Sequence, residues 1–192
     1  MPDHPVLPPL RHLLDQANLL KRLPRTGWLL AGVPRPESIA DHSFGVGVLA
    51  LFLAEWVNQD PAGEGLERPL DVGRVVILAL LHDLAESMLT DLPKRTSQLL
   101  GQEAKHRAEE AVMARLLAPL PGGAAYQELW AEYDAGSSPE ARLVKDADKL
   151  EMVHQAIQYA RQGVQGLDEF RQGHGWHYRA SQLFFQFLCD SA

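Results

Sequence analysis

An apolar run that ends in charged residues places the strongest limit on how this chain can fold. Seven apolar residues, 75–81, are followed at once by His82 and Asp83, and Glu86 comes three positions later. Burying an imidazole and two carboxylates beside such a run costs free energy unless another group compensates them. The stretch therefore indicates a buried element with a polar site at its end.

The composition is that of an ordinary globular protein. The chain has 192 residues, of which 46% are apolar and 22% charged, so residues 1–192 are expected to form one domain around one core. The formal net charge is −7, whereas a protein that coats a nucleic acid polymer is typically basic. An anionic partner is therefore expected to be a small molecule held by local cations or a metal.

Three features favour the cytoplasm over a secreted or membrane location. The lone Cys189 has no partner for an internal disulfide, which is typical of a reducing compartment. The first residues lack the basic and apolar regions of a signal peptide. The most apolar window, residues 45–54, is shorter than the roughly 20 residues that span a bilayer.

Helical spacing recurs along the chain, while alternating strand patterns are scarce, so the predicted fold class is all-α. Ser38 and Asp41 form a capping-box pattern at one helix start, and Ser138 followed by Pro139 indicates another. The predicted helices cover residues 10–23, 39–58, 71 through the HDLAES stretch, 97–117, 125–133, 139 onward and 177–188.

Two other predicted helices each carry a metal-capable residue on an apolar face. In IADHSFGVGVLALFL, His42 lies on the helical stripe of Val46 and therefore points toward the core. In ARLVKDADKLEMV, Asp148 lies on the stripe of Val144. If the helix continues through His82, Glu86 lies four residues after His82 and three after Asp83. The three side chains can then converge on one surface of the helix.

Each of these residues also has a purely structural explanation. His42 could be a hydrogen-bonded core histidine. His82 and Asp83 could cap the C-terminal end of the helix that the apolar run predicts. Asp148 could pair with Lys145 or Lys149 at the surface. A single divalent metal explains all of them together, because two imidazoles and two carboxylates suit the divalent transition ions.

The order of these residues on a helical chain resembles the HD-domain metal-dependent phosphohydrolases. Within that family, five segments are similar to the 5′-deoxynucleotidase group: RTGW at 25–28, GVPRPESIADH at 32–42, HDLAES at 82–87, DLP at 91–93 and KDADKLEM at 145–152. The likeness covers about residues 19–162. The dipeptide HD is weak by itself, but the ordered set is specific.

The resemblance implies an HD-domain bundle of about seven or eight helices that forms a homodimer. It also implies one divalent metal per subunit, with Co²⁺ or Mn²⁺ favoured over Zn²⁺, Fe²⁺, Ni²⁺ or Mg²⁺. The implied ligands are His42, His82, Asp83 and Asp148.

The same resemblance assigns roles around the metal. Glu86 matches a catalytic acid, and Asp91 matches a second acid near the attacking water and the substrate. Trp28 matches an aromatic residue that packs against the sugar and disfavours a ribose 2′-hydroxyl. The loop that lines the nucleotide site is matched by Asp91, Leu92, Pro93 and Lys94.

One position departs from the family pattern. Bacterial members have an arginine that orients the phosphate directly before the tryptophan, whereas this chain has Gly27 there and Arg25 two residues earlier. The phosphate anchor could therefore be Arg25 from its displaced position, or else Lys94 or Arg95.

These observations predict a phosphoric monoester hydrolase that acts on deoxyribonucleoside 5′-monophosphates. One alternative keeps the metal and changes the substrate to a phosphodiester, a nucleoside polyphosphate or another small phosphate ester. A second alternative is a metal-dependent nucleotide-binding protein without turnover. Because the four ligands and Glu86 occur together, the site looks complete, which favours catalysis.

Overall fold

Ten α-helices and one short 3₁₀ helix form the regular structure of residues 4–191, the part of the chain that this computed structural model describes. That range contains no strand, and one isolated antiparallel bridge joins Pro24 to Ser38. The helices are α1 (Leu7–Leu20), α2 (Thr26–Leu30), α3 (Ile39–Val57), α4 (Val72–Leu81), α5 (Glu86–Leu89), α6 (Lys94–Leu100), α7 (Gln102–Leu117), α8 (Gly123–Ala135), α9 (Pro139–Arg161) and α10 (Arg179–Asp190), with the 3₁₀ helix at Asp168–Phe170. The all-α prediction is confirmed, and eight of these described helices have seven or more residues.

Helices α3, α4 and α9 pack together and form the largest part of the core. Their inward faces carry aliphatic residues that are fully buried, among them Val46, Ala50, Val75, Leu78, Val144 and Leu150. Full burial of each large aliphatic side chain stabilises the fold by about 1.5–3 kcal/mol. The same three helices bear the predicted metal ligands or lead directly into them, so the site is built on the best-packed part of the molecule.

Local sequence signals account for several helix starts. The Ser38 hydroxyl accepts a hydrogen bond from the Asp41 amide at 3.1 Å, and the Asp41 carboxylate accepts one from the Ser38 amide at 2.9 Å. This is the predicted capping box, and it begins α3 at Ile39. The hydroxyl of Ser138 likewise accepts from the Ala141 amide at the predicted start of α9.

The predicted continuous helix through His82 is wrong. Helix α4 ends at Leu81, residues 82–85 form turns, and α5 begins at Glu86. The reason is a side-chain contact, because Nδ1 of His82 lies 2.7 Å from the Ala79 carbonyl. In a continuing α-helix that carbonyl would accept from the amide of Asp83.

Three further features differ from the predictions. The expected helix over 97–117 is two helices, because Gly101 has φ of +84° and separates α6 from α7. Residues 24–36 lie outside all the predicted helices, yet they contain α2. The first helix begins at Leu7 and ends at Leu20, three residues earlier at each end than predicted.

Candidate metal centre and substrate cavity

The four predicted metal ligands come together at one end of the core. Nε2 of His42 lies 3.1 Å from Oδ1 of Asp148 and 3.6 Å from Oδ2 of Asp83. The same Asp83 oxygen lies 3.2 Å from Nε2 of His82. His42, His82 and Asp148 each offer a ligand atom within 4.8 Å of the others, which is a separation that one ion can bridge.

Hydrogen bonds on the far side of each imidazole orient the two histidines. Nδ1 of His42 lies 2.5 Å from Oε2 of Glu151, and Nδ1 of His82 lies 2.7 Å from the carbonyl of Ala79. When each Nδ1 donates its proton to these acceptors, each Nε2 keeps a lone pair for a metal. Such supporting contacts are a regular feature of protein metal sites.

The positions of these nitrogen and oxygen atoms suit metal binding better than hydrogen bonding between the side chains. Both Nε2 atoms are buried and have no hydrogen-bond partner among the residues that the structure describes, although carboxylate oxygens lie nearby. Burial lowers the pKa of His42, but its contacts with Asp148 and Glu151 outweigh that effect and raise the pKa to about 10. A divalent ion at Nε2 would replace the proton held there.

The carboxyl group of Asp83 stays anionic despite its burial. Burial by itself would raise the pKa of Asp83, but the neighbouring His82 and Arg25 hold it well below the usual range. Nη1 of Arg25 lies 3.2 Å from Oδ2 of Asp83. This contact places the guanidinium group at the edge of the ligand set.

Glu86 lies beside the ligands and is 7% exposed. Within residues 4–191, its buried Oε2 has no hydrogen-bond partner. Burial and the nearby Asp83 and Asp91 carboxylates raise the pKa of Glu86 well above its ordinary value. A carboxyl group with a raised pKa beside a candidate metal centre suits acid–base catalysis.

Asp91 joins two segments that are distant in the sequence. Its side chain accepts a hydrogen bond from the Thr26 amide at the start of α2, and its carbonyl accepts one from the Thr26 hydroxyl at 3.0 Å. Thr90, the residue before it, has φ of +64°, which is uncommon for threonine and redirects the chain after α5. The resemblance implied a role near the water and substrate, and the structure adds this anchoring of α2.

Trp28 on α2 is 2% exposed and packs in a cluster of aromatic rings. The ring centroids of Tyr159 and Phe170 lie 5.3 Å and 4.2 Å from that of Trp28. Its indole N–H donates to Oε1 of Glu37 at 2.8 Å. A Cβ atom at Gly27 would lie 3.3 Å from Phe170, so the ring of Phe170 covers the position where bacterial relatives carry arginine.

A cavity of about 710 Å³ opens over the ligand set. Three of the four ligands face it, whereas His42 is fully buried behind them. The other predicted site residues that line it are Arg25, Trp28, Glu86, Asp91, Leu92, Pro93, Lys94 and Arg95. The cavity therefore joins the metal ligands, cationic side chains and an aromatic wall.

Three residues that the sequence analysis did not assign to the site contribute to it. Glu151 and Glu37 support His42 and Trp28 from behind, and Lys145 lines the cavity. Glu151 and Lys145 each lie three residues from Asp148, so their helical spacing in KDADKLEM was an available signal. Glu37 had no such signal, because its contacts depend on the fold.

Lys145 is a partly buried cation close to the ligands. Its Nζ lies 4.6 Å from the centroid of the Tyr133 ring, and burial lowers its pKa. No carboxylate of residues 4–191 forms a salt bridge with it. The suggested pairing of Asp148 with Lys145 or Lys149 is therefore wrong, since Lys149 donates to the carbonyl of Gly175 instead.

Comparisons with known proteins agree with this arrangement. The family described as HD domain matches residues 17–183. The 5′-deoxynucleotidase hdd1 of Schizosaccharomyces pombe is 36% identical over 165 residues, covering 82% of this chain and 76% of the relative. The 5′-deoxynucleotidase HDDC2 of Bos taurus is 40% identical over 155 residues, covering 78% of this chain and 68% of the relative.

Solved structures from two archaea share the fold. A protein of Pyrococcus furiosus superposes with a TM-score of 0.71 at 40% identity, covering 83% of this chain and 84% of the other. A protein of Pyrococcus horikoshii gives a TM-score of 0.73 at 37% identity, covering 93% and 96%. Together with the cluster of ligand atoms, the family match supports a divalent metal centre. This chain belongs to the HD-domain family and, within it, to the group of its 5′-deoxynucleotidase relatives.

Proposed function

We propose that this protein removes the 5′-phosphate from deoxyribonucleoside 5′-monophosphates and releases the deoxynucleoside and inorganic phosphate. One observation carries the proposal: the ligand atoms of His42, His82 and Asp148 converge at a cavity that cations and an aromatic wall also line. The relatives named 5′-deoxynucleotidase support the same substrate class.

The ligand set suits one divalent ion per subunit. His42, His82, Asp83 and Asp148 would hold it, and their mixed imidazole and carboxylate donors suit divalent transition metals. The family resemblance favours Co²⁺ or Mn²⁺ among them. When bound, such an ion withdraws charge from the phosphoryl oxygens and makes water more acidic.

Glu86 is the residue proposed to move the proton. It lines the cavity, its Oε2 has no hydrogen-bond partner among residues 4–191, and burial with the nearby Asp83 and Asp91 carboxylates raises its pKa. Hydrolysis requires one proton to leave the attacking water and one to reach the departing 5′-oxygen. Asp91 lines the same cavity, but one of its oxygens already accepts from the amide of Thr26.

Two cations are proposed to bind the phosphate. Arg25 contacts Asp83 and therefore lies at the edge of the metal ligands. Lys145 follows the same helical face as Asp148 and lacks a carboxylate partner of its own among the described residues. Lys94 and Arg95 line the cavity at the start of α6 and remain candidate outer contacts.

Trp28 is proposed to select the sugar. The indole is held between other rings and lines the cavity with the small part that stays exposed. A rigid aromatic wall favours the apolar 2′-carbon of deoxyribose, because a ribose hydroxyl against it would lose its hydrogen bonds to water. Leu92 and Pro93 extend the wall around the nucleotide.

Phosphate release from purified protein tests the proposal. Metal is stripped from the protein, Co²⁺ or Mn²⁺ is restored, and dAMP and AMP are offered side by side, with His82→Ala protein prepared in parallel to expose contaminating phosphatases. Release from dAMP well above release from AMP is the expected result. Equal release would remove the sugar selection, and release from neither would reject the proposed substrate class.

A homodimer through the outer face of α3 completes the proposal. By length and composition α3 could cross a membrane, but its inner face packs in the bundle and its outer face exposes Phe44, Val48, Phe52 and Trp56. A contiguous apolar stripe of this kind marks an interaction surface, and a second copy with the same stripe can cover it symmetrically. Phe52→Glu is expected to give a monomer in light scattering, whereas Leu99→Glu, which alters an exposed leucine on α6, leaves the dimer intact.

The protein is proposed to act in the cytoplasm.

A further inference from the structure

We propose that Glu37 is a positioning residue that fixes the orientation of Trp28 and thereby sets the preference for deoxyribose over ribose. The inference rests on the proposed function, because it assigns the sugar selection of that same site to a residue behind it. Glu37 precedes α3 and is not among the residues that line the cavity.

The contact with Glu37 determines how the indole is turned. Trp28 has a single polar atom, Nε1, and its N–H donates to Oε1 of Glu37 at 2.8 Å. The indole otherwise lies in an apolar cluster, in which Tyr159 is edge-on at 5.3 Å and Phe170 is tilted at 39°. Aromatic packing tolerates several ring orientations, whereas a hydrogen bond at this distance is directional. The bond therefore selects one orientation of the ring that lines the cavity.

Hydrogen bonds to both the amide and the carbonyl of Glu37 fix the position of its backbone. Its amide donates to the hydroxyl of Tyr159 at 2.7 Å, which ties it to α9. Its carbonyl accepts from the amide of Arg25 at 3.0 Å, which ties it to the segment that enters α2. The carboxyl group thus starts from a fixed backbone and can transmit a fixed position to the indole.

The same carboxyl group neighbours the support of a metal ligand. Ligand atoms of Glu37, Glu151 and His42 lie within 4.8 Å of one another. This trio is not a second metal site, because Nδ1 of His42 is bonded to Glu151 and Oε1 of Glu37 accepts from Trp28. Glu151 orients the metal ligand and Glu37 orients the tryptophan, so the two parts of the active site are aligned by adjacent carboxyl groups.

Sugar selectivity of matched variants tests the proposal. The ratio of kcat/KM for dAMP to that for AMP is measured in Glu37→Ala, Glu37→Gln and Glu67→Ala proteins of equal metal content. Glu67 is exposed on the connection between α3 and α4, so its variant controls for loss of one negative charge. The ratio is expected to fall about fivefold in Glu37→Ala, the factor typical of one lost hydrogen bond. It should stay within twofold of wild type in Glu37→Gln, whose amide oxygen still accepts from the indole.

Two results would overturn the inference. An unchanged ratio in folded, metal-loaded Glu37→Ala protein would show that Trp28 needs no such support. An equal loss in Glu37→Gln would show that charge matters and the hydrogen bond does not. If the alanine variant does not fold, Tyr159→Phe replaces it, because it removes the hydroxyl that holds Glu37 while keeping the ring; an unchanged ratio in that variant would count against the inference.

A fluorescence measurement separates this inference from the proposed function. The emission of Trp28 is obtained as the difference between each protein and its Trp28→Phe counterpart, and its quenching by acrylamide is measured without substrate. Quenching is expected to rise at least twofold in Glu37→Ala and to stay near wild type in Glu37→Gln. If wild-type protein hydrolyses neither nucleotide, the proposed function fails, and this result still decides whether Glu37 holds Trp28; unchanged quenching in Glu37→Ala rejects the inference.

Discussion

Oε2 of Glu151 lies 2.5 Å from Nδ1 of His42, while Nε2 of the same ring lies 3.1 Å from Oδ1 of Asp148. The imidazole is therefore held from behind by one carboxylate and faces another across the candidate metal position. Both carboxylates belong to α9, one turn apart, so a single helix sets the position and the orientation of this ligand.

Glu151→Ala is expected to weaken metal binding about 10- to 100-fold, because His42 loses the partner that fixes its ring and its tautomer. Competition between the protein and a chromogenic chelator for Co²⁺ measures the change. Glu151→Gln, which keeps a hydrogen-bond acceptor at the same place, should lie between wild type and alanine. Wild-type affinity in the alanine variant would show that the contact is dispensable.

His82→Ala and Asp148→Ala are each expected to remove bound metal and phosphatase activity together, because each takes away a ligand from a set of four. Elemental analysis of the purified proteins gives metal per subunit, and phosphate release gives activity. His154→Ala is the control, since that histidine is exposed and bonds Gln158 on the surface of α9. A variant lacking either ligand that kept stoichiometric metal would contradict the assignment.

Glu86→Gln is expected to bind metal as wild type does and to lose about 10²- to 10⁴-fold in kcat, the range for removal of a general acid or base. The same two measurements, metal content and turnover, decide the outcome. Full activity in this variant would take Glu86 out of the mechanism, and loss of metal would instead make it a ligand.

Lys145→Ala is expected to lower kcat/KM for dAMP about 10- to 100-fold, because a hydrogen bond to a charged group is worth about 1.5–3 kcal/mol. Inhibition by inorganic phosphate should weaken to a similar degree, which ties the loss to the phosphate and not to the base. Lys21→Ala, at the exposed end of α1, controls for the loss of one positive charge. Unchanged phosphate inhibition would reject Lys145 as an anchor.

The stability of the metal-free protein is expected to fall as the pH rises from about 4.5 to about 7, through the contribution of Glu37. Burial and the neighbouring Glu151 raise its pKa from 4.5 to about 7, against the opposing effects of Trp28, His42 and Arg25. In this window the folded chain binds more protons at Glu37 than the unfolded chain, so the free energy of unfolding decreases with pH. Denaturant unfolding in the presence of a chelator, at several pH values, should show this slope reduced in Glu37→Gln; an identical slope would contradict the raised pKa.

The sequence by itself determined the fold class and the order in which the candidate site residues occur along the chain. Helical spacing and the lack of strand patterns depend on residues three or four apart, and the capping box of Ser38 and Asp41 is local in the same way. The five motifs identified the family, and the four residues that the resemblance implies as metal ligands are brought together by the structure.

Only the tertiary structure decided how the site is supported. His42 and Glu151 are 109 residues apart, Glu37 and Tyr159 are 122 apart, and Asp91 reaches Thr26 across 65 residues. No local pattern encodes such pairs, because their contacts exist only when separate helices have packed. The turn at residues 82–85 is local by contrast, since Nδ1 of His82 contacts the carbonyl of Ala79 only three residues before it. Local hydrogen bonding thus set the helices, and long-range packing set the orientation of the groups that do the chemistry.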